Sequence, residues 1–514
     1  MTLRNLAPGI AAFATAILVA LIGLAASADP PSGDGAVGER EGVVKLRLLG
    51  VNDLHGHLEP PRDGIGGAAW LDAHLDAATL PGRTIRVHAG DMVGASPLIS
   101  SWFHDEPAIE TTNQLGFDVG TVGNHEFDEG GDELLRLLRG GQRSGPGALK
   151  RDAAGQLVNT SSPGYAGAAY PYIAANTIDR DGEPLLPPYA IVERAGVRVG
   201  FIGVTTTSTP YFLLPRHAER FRFTDVSDAV DRWVPELQER GVEAIVVLAH
   251  SGASNEEPGD RDSAAGEIID ETAQMSSAVD VVIAGHSHSL LNLRVPNADG
   301  DGDKLVVEAL SYGVAYDRVD IAVDRASGDI VDKAGAVPST RHGDLAPDRA
   351  TDDLVRGYAD RIAPLARRVV GRTDQPLTRA NGRLGALAAA AQRELTGADV
   401  ALVNPGSLRA DLDTGPLFYE ELFAVHPYDF PLVRSKLSGR ALRELLAELR
   451  IDAPNPGAYV AGPARIDPDE TYTVSTNEWM ATGEAFPALR VAGRAGRPSG
   501  SETEALVNYI ERQR

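Results

Sequence analysis

Apolar positions along the chain cluster into short runs that helical patterns separate. Runs with β-type character recur in the first part of the chain, at residues 44–51, 84–88, 118–122, 197–204, 243–248, 279–283 and 305–309. Between several of them, for example at 132–139 and 227–240, apolar residues repeat with the spacing of an amphipathic helix. This alternation of strands and helices predicts an α/β domain over residues 43–340.

The pattern restarts after Gly371 with a second set of elements. The sequence predicts helices at 385–395, 420–423 and 438–449 and strands at 400–403 and 471–475. A polar helical segment precedes this set. We therefore predict a connecting helix at 341–368 and a smaller C-terminal α/β domain at 369–514.

The N-terminus has the pattern of an export signal. Arg4 is followed by an apolar run at 11–25 and then by Ala26-Ser27-Ala28, which matches a signal peptidase site. We predict a signal peptide at 1–28, a flexible tether at 29–42 and a secreted, extracytoplasmic protein, in the periplasm or outside the cell. Alternatively, the leader stays uncleaved and brings the protein into contact with the membrane.

Composition excludes several classes of partner and site. The 514 residues carry a formal net charge of -24, with a pI near 4.9, so a nucleic acid duplex would be repelled. A small phosphate ester stays compatible, since bound divalent cations and a few Arg invert the potential locally. The chain has no Cys, which rules out thiolate zinc sites and thiol nucleophiles.

Candidate metal ligands follow five of the apolar runs. They are Asp53, His55, Asp91, Asn124, His250, His286 and His288. In open α/β sheets, ligands gather at the carboxyl ends of strands. The two-residue spacing of Asp53 and His55 directs both side chains to the same side of an extended segment. Mixed carboxylate, carboxamide and imidazole donors predict two adjacent divalent ions, for which Zn, Mn, Co and Fe all fit.

Four motifs resemble a known family. They are Asn52-Asp53-Leu54-His55-Gly56, Gly90-Asp91, Gly123-Asn124-His125-Glu126-Phe127-Asp128 and Gly285-His286-Ser287-His288. The family is the 5'-nucleotidase group of the calcineurin-like metallophosphoesterases, which includes ecto-5'-nucleotidases and bacterial periplasmic UDP-sugar hydrolase/5'-nucleotidases. The resemblance covers nearly all of residues 43–486. It implies an N-terminal sandwich of two mixed β-sheets flanked by helices, followed by a smaller C-terminal α/β domain.

The resemblance also implies roles for individual residues. One metal would be held by Asp53, His55, Asp91 and His288, and the other by Asp91, Asn124, His250 and His286. Asp91 would bridge the two ions. His125 and Asp128 would form the catalytic dyad, in which Asp128 orients the imidazole of His125.

Substrate recognition in the family belongs to the C-terminal domain. Asn404-Pro405-Gly406-Ser407-Leu408-Arg409 resembles the motif whose Arg contacts phosphate, so Asn404 and Arg409 are candidate substrate contacts beside Asn124. Arg379 is a candidate second contact to the substrate phosphate. Tyr428 and Phe486 correspond to the aromatics that sandwich the nucleobase. Ser407 and the segment Thr482-Gly483-Glu484-Ala485-Phe486 depart from the family pattern, which leaves the identity of the base open.

The predicted function is that of an exported dinuclear-metal phosphohydrolase, which cleaves nucleoside 5'-monophosphates or related nucleotides with metal-activated water. The same motifs fit a 2',3'-cyclic-nucleotide 2'-phosphodiesterase/3'-nucleotidase and a UDP-sugar hydrolase. A non-enzymatic alternative is a catalytically silent surface nucleoside-binding module. Such a module would be expected to have lost some of the metal ligands, whereas all predicted ligands and both dyad residues are present in this sequence.

Overall fold

A computed structural model describes residues 42–61, 64–255, 264–300, 302–449, 457–482, 489 and 499–513. The predicted signal peptide, almost all of the predicted tether and Phe486 lie outside the described residues. Across these described ranges, no helix combines the length and the apolar character that a bilayer span requires.

The N-terminal part is built from strands with intervening helices. The strands are β1 Val43–Val51, β2 Thr84–His88, β3 Val119–Thr121, β4 Leu149–Arg151, β5 Leu157–Asn159, β6 Tyr172–Ile173, β7 Thr177–Ile178, β8 Tyr189–Arg194, β9 Val197–Thr205, β10 Arg222–Phe223, β11 Ala244–His250, β12 Ser254–Asn255, β13 Ala264–Ala265, β14 Val281–Ala284, β15 Leu290–Pro296, β16 Asp303–Ala309, β17 Asp317–Asp324 and β18 Ile330–Ala336. The helices are α1 Ala68–Ala78, α2 Leu98–Ser101, α3 Glu106–Gln114, α4 Gly131–Arg139, α5 Thr209–Phe212, α6 Pro215–Ala218, α7 Val226–Glu239, α8 Glu267–Gln274 and α9 Arg349–Ala366.

Two six-stranded mixed sheets form a sandwich. The first has the order β18-β17-β1-β2-β3-β6, and the second has the order β15-β16-β14-β11-β9-β8. Strands β1, β2, β3 and β6 run parallel, as do β9, β11, β14 and β16. Leu48, Val87, Phe201 and Leu248 pack between the sheets in a continuous apolar core. Central strands covered on both faces must be apolar throughout, which explains the unbroken hydrophobic runs in the sequence.

Helices cover the outer faces of both sheets. Ile109 and Ile362 belong to the apolar layer outside the first sheet, and Val230 and Ile268 belong to the layer outside the second. The long helix α9 begins at the N-cap Asp348, whose side chain accepts a hydrogen bond from the Thr351 N–H. This helix lies within the predicted connecting segment and packs against the apolar layer outside the first sheet.

The C-terminal part contains a four-stranded sheet and a separate two-stranded pair. Its elements are β19 Val369–Thr373, α10 Arg383–Thr396, β20 Val400–Val403, β21 Gly415–Phe418, α11 Tyr419–Val425, β22 Leu432–Ser438, α12 Gly439–Glu448, β23 Tyr459–Ala461, β24 Thr471–Asn477 and α13 Glu502–Arg512. The four-stranded sheet has the order β22-β24-β20-β23, and β19 pairs with β21. Apolar clusters lie on both sides of the four-stranded sheet, one with α10 and α13 and the other with α12.

Each predicted apolar run is a strand in the structure, with its ends displaced by a few residues at most, and each helix predicted within the two domains is also present. The predicted α/β class and the sandwich of two mixed sheets flanked by helices are confirmed. The two parts of the chain also touch directly. Trp479 Nε1 donates a hydrogen bond to the Tyr211 carbonyl at 2.8 Å, and Arg216 forms an ion pair of 3.0 Å with Glu478.

Candidate active site

The structure brings all seven predicted metal ligands to one place, at the carboxyl ends of five parallel strands. Asp53 and His55 follow β1, Asp91 follows β2, Asn124 follows β3, His250 ends β11, and His286 and His288 follow β14. These strands belong to both sheets of the sandwich, whose carboxyl ends converge.

One half of the cluster contains Asp53, His55 and His288. The Oδ1 atom of Asp53 lies 3.2 Å from His288 Nε2 and 3.6 Å from His55 Nε2. The two imidazole Nε2 atoms are 3.3 Å apart. Donor atoms of these three residues all lie within 4.8 Å of one another, which is the spacing of groups around a single cation.

The other half contains Asp91, Asn124, His250 and His286. The Nε2 atom of His250 lies 3.0 Å from Asp91 Oδ2 and 3.1 Å from Asn124 Oδ1, and the donor atoms of Asp91, His250 and His286 also converge within 4.8 Å. Asp91 Oδ2 is also 3.7 Å from His55 Nε2 in the first half. The carboxylate of Asp91 therefore lies between the two halves, where a bridging ligand would be.

The hydrogen bonds of these residues fit bound cations. Asp53 Oδ1 is buried without a hydrogen-bond partner. The Nδ1 atoms of His55 and His250 lie 2.9 Å from the Gly94 carbonyl and 2.8 Å from the Ala89 carbonyl, and each donates its proton there. In that tautomer each Nε2 keeps a free lone pair aimed into the cluster, as in metal-binding histidines.

The electrostatics of the cluster favour cations. Burial opposes ionisation of Asp53, but the nearby imidazoles of His288 and His55 hold its pKa well below the usual value. Burial likewise opposes charging of His55, yet the carboxylates of Asp53 and Asp91 raise its pKa to about 10, and a bound cation would replace the proton on Nε2. Two buried carboxylates thus create a negative potential that a divalent ion would neutralise.

The ligand turns have unusual backbone conformations. Left-handed φ angles occur at Asp53 (50°), His55 (48°), Asp91 (52°), His286 (79°) and His288 (54°). Each such non-glycine residue costs roughly 1–3 kcal/mol and persists only where its surroundings impose it. Backbone hydrogen bonds between turns do so here: Asp53 N donates to the Gly90 carbonyl at 3.0 Å, and His55 N donates to the Asp91 carbonyl at 2.9 Å. These hydrogen bonds fix the turns that carry the predicted ligands relative to one another.

The predicted dyad lies beside the cluster. His125 begins a short 3-10 helix directly after Asn124, and its Nδ1 lies 2.8 Å from Asp128 Oδ2. Its ring centroid is 5.0 Å from that of His55. The backbone N–H of His125 donates to Asp91 Oδ1 at 2.9 Å, which fixes the dyad relative to the central carboxylate.

The C-terminal domain reaches this site through Tyr428 and Arg409. The Tyr428 ring stacks on His125 with centroids 5.6 Å apart, and the Arg409 guanidinium carbon lies 6.0 Å from the Tyr428 ring centroid. Asn404 Oδ1 accepts a hydrogen bond from Asn477 within the C-terminal domain. The guanidinium of Arg379 forms a 3.1 Å ion pair with Asp411.

Two aromatic residues of the site, His57 and Tyr312, were absent from the sequence predictions. Tyr312 stacks on His57 with centroids 4.0 Å apart, and its ring centroid is 5.4 Å from that of His288. The phenols of Tyr428 and Tyr312 raise the pKa of Arg409 against the opposing effect of burial. Tyr312 follows β16, so the rule that located the ligands at the ends of strands could have found it.

Comparisons with known proteins agree with this geometry. The family model "Calcineurin-like phosphoesterase" matches residues 46–290, and the model "5'-nucleotidase, C-terminal domain" matches residues 368–465. The chain is 30% identical to the cell wall protein Lmo0130 of Listeria monocytogenes, over 92% of this chain and 68% of that protein. It is 33% identical to the endonuclease YhcR of Bacillus subtilis over 91% of this chain, but it spans only 40% of the length of that protein.

A solved structure has the same fold. The crystal structure of a 5'-nucleotidase precursor from Thermus thermophilus superposes with a TM-score of 0.73 at 24% identity, covering 91% of this chain and 97% of that chain. The first model spans all seven predicted metal ligands, and the second spans Arg409 and Tyr428. The chain therefore belongs to the 5'-nucleotidase family of the calcineurin-like phosphoesterases, a family of metal-dependent phosphoric ester hydrolases.

Proposed function

We propose that this protein hydrolyses nucleoside 5'-monophosphates or related nucleotides at a site for two divalent cations. The observation that carries the proposal is the meeting of two domains at one point. Arg409 and Tyr428 from the C-terminal domain lie beside His125 and the ligand cluster of the N-terminal domain. Arg409 and the cations would bind the phosphate, and Tyr428 would stack on the base. These groups therefore match the parts of a nucleotide.

In this proposal each ion has four protein ligands. Asp53, His55, Asp91 and His288 would hold one ion, and Asp91, Asn124, His250 and His286 would hold the other. Bound divalent cations polarise a phosphoryl oxygen and make water nucleophilic at neutral pH. Zn, Mn, Co and Fe all suit this donor set.

His125 would act on the phosphoryl group or on the leaving oxygen. Its Nδ1 proton is directed at Asp128 Oδ2, 2.8 Å away, so its Nε2 remains for the substrate. When the ring is protonated, Nε2–H can donate a hydrogen bond to the transferring phosphoryl group or a proton to the leaving oxygen. The carboxylate of Asp128 stabilises the imidazolium and fixes its orientation.

A phosphate-release panel tests the proposed substrate class. The protein would be assayed with Mn, Zn and Co in turn against AMP, UMP, 3'-AMP, 2',3'-cyclic AMP, UDP-glucose and a plain phosphomonoester. A single-stranded oligonucleotide belongs in the panel because a similar protein is named an endonuclease. Products of the oligonucleotide, the cyclic nucleotide and UDP-glucose are followed by chromatography, since their first cleavage releases no inorganic phosphate. We expect 5'-monophosphates to exceed the plain ester in kcat/KM. A highest kcat/KM for 3'-AMP with the cyclic nucleotide, or for UDP-glucose, would identify the corresponding alternative, and metal-loaded protein without activity would identify the binding module.

Replacement of Arg409 tests the phosphate clamp. We expect Arg409→Ala to raise KM for AMP roughly 10- to 150-fold, because hydrogen bonds to charged groups contribute about 1.5–3 kcal/mol. Arg379→Ala is the matched comparison. Its guanidinium is already paired with Asp411, so we expect a smaller rise. An unchanged KM in Arg409→Ala would contradict the clamp, and an equal rise in both variants would make Arg379 the second clamp.

Export is a separate part of the proposal. Cleavage after Ala28 would leave Asp29 as the first residue of the mature protein. N-terminal sequencing of protein recovered from outside the cytoplasm is expected to begin at Asp29. Recovery of the uncleaved chain from the membrane fraction would instead support the anchor.

A further inference from the structure

Glu126 belongs to the same motif as Asn124 and His125, but it has no assigned role. Its side chain is buried, with 3% of its surface exposed. Its carboxylate accepts three backbone hydrogen bonds. Oε2 accepts from Asp91 N at 2.9 Å and from Gly123 N at 2.6 Å, and Oε1 accepts from Met92 N at 2.8 Å. One side chain thus joins the turn that follows β2 to the turn that follows β3.

These two turns carry ligands and pack with no spare room. A Cβ atom added at Gly123 would lie 2.1 Å from Asp91 Oδ1, and one added at Gly90 would lie 2.6 Å from Gly123 N. Asp91, Met92 and Gly123 are all buried, so their backbone N–H groups are shielded from water. Without an acceptor at the position of Glu126, three buried N–H groups would lack partners.

We propose that Glu126 is a positioning residue that sets the distance between the two cation sites. It does so by fixing Asp91, the shared ligand, relative to Asn124, a ligand of the second site only. The inference rests on the proposed dinuclear site but not on the identity of the substrate. It depends on the hydrogen-bond pattern, in which both oxygens of Glu126 must accept.

Glu308 provides a comparison within the same site. It is fully buried on β16 of the second sheet. There it holds the turn between His286 and His288, which follows β14 of the same sheet. Its Oε1 accepts from Ser289 N at 2.9 Å, and both of its oxygens lie 2.8 Å from Ser287 Oγ. Here one partner is a hydroxyl, which can accept as well as donate.

The two glutamates therefore respond differently to the same isosteric change. At position 308, a Gln oxygen can accept from Ser289 N while its amide donates to Ser287 Oγ. The hydroxyl of Ser287 then donates to the Ala253 carbonyl, which is already 2.7 Å away. At position 126, a Gln amide would face a backbone N–H whichever way it is turned, because each oxygen of Glu126 has an N–H donor.

The test compares Glu126→Gln with Glu308→Gln in the full chain. Electron paramagnetic resonance of the Mn²⁺-loaded protein reports whether two ions are coupled, and calorimetric titration reports their affinity. For Glu126→Gln we expect Mn²⁺ affinity and kcat/KM to fall about 10- to 100-fold, with loss of the coupled signal. For Glu308→Gln we expect affinity, kcat/KM and the coupled signal to fall much less than for Glu126→Gln, because every hydrogen bond at position 308 can be kept. A purely structural role for Glu126 would lower the melting temperature but leave the coupled signal intact.

Three results would overturn the proposal. They are a coupled Mn²⁺ pair of normal affinity in Glu126→Gln, an equal loss in Glu308→Gln, and the absence of a coupled pair in the unaltered protein. If Glu126→Gln does not fold, Glu126→Asp serves instead, since it keeps both acceptors on a shorter arm. It is expected to fold with weakened coupling, and normal coupling would count against the proposal. A protein that binds the pair but fails the nucleotide panel would refute the substrate class alone.

Discussion

Replacement of His125 by Ala is expected to lower kcat by about 10²- to 10⁴-fold, the usual contribution of a positioned acid or base. The imidazole lies between Asp128 and the ligand cluster, and its Nε2 is the atom left to meet the substrate. Because the predicted metal ligands do not include His125, the variant should retain its full complement of ions. Steady-state kinetics and elemental analysis of the same preparation measure both quantities.

Two further variants make this result interpretable. Asp128→Asn keeps the shape of the dyad but removes the charge that supports the imidazolium, so kcat should fall less than in His125→Ala. His342→Ala removes an imidazole of the connecting segment, which stacks on Trp70 of α1, and kcat should be unaffected. Loss of metal from His125→Ala would show that the residue supports the cluster and would refute the catalytic dyad.

Asp91→Asn is expected to cause the second large loss. Asp91 Oδ2 is within 3.0 Å of His250 Nε2 and 3.7 Å of His55 Nε2, so its charge serves both halves of the cluster. Removing that charge should lower kcat/KM by about 10³-fold or more, because a bound cation contributes several kcal/mol to transition-state stabilisation. Elemental analysis should find two ions per chain in the unaltered protein and at most one in the variant.

Thermal unfolding gives an independent measure of the same loss. Mn²⁺ supplied at 100 times its Kd should stabilise the unaltered protein by about 2.7 kcal/mol per site, and Asp91→Asn should gain less. EDTA should abolish hydrolysis, and added metal should restore it. Asp320→Asn is the matched control, because Asp320 pairs with Arg47 and is half exposed. An Asp91→Asn variant with two ions and normal turnover would contradict the shared-ligand role.

The sequence was sufficient to predict the fold class and the clustering of the residues predicted to bind metal. The central strands are buried on both faces, so their apolar runs are unbroken and easily recognised. Predicted ligands such as Asp53 and His250 come at the ends of those runs, and parallel strands bring such ends together. The spacing of apolar residues therefore predicts both the strands and the edge of the sheets at which the candidate active site lies.

Other features depend on contacts that periodicity does not encode. Glu126 was visible in its motif, but its three backbone partners come from turns whose approach is set by the sheet. The left-handed angles at His286 and His288 run against the local preference of those residues, so no propensity argument predicts them. The ion pair of Arg379 with Asp411 also depends on tertiary packing, since the two residues lie on separate loops.

The origin of the ligands in both sheets has a consequence for biosynthesis. Each proposed set combines residues from early in the chain with a histidine at position 286 or 288, and the His286 N–H already donates to Asp53 Oδ2 across 233 positions. Neither set can be complete until the chain has emerged from the ribosome at least as far as His288 and has folded. The proposed cations would thus be loaded late in maturation, in the compartment where folding finishes.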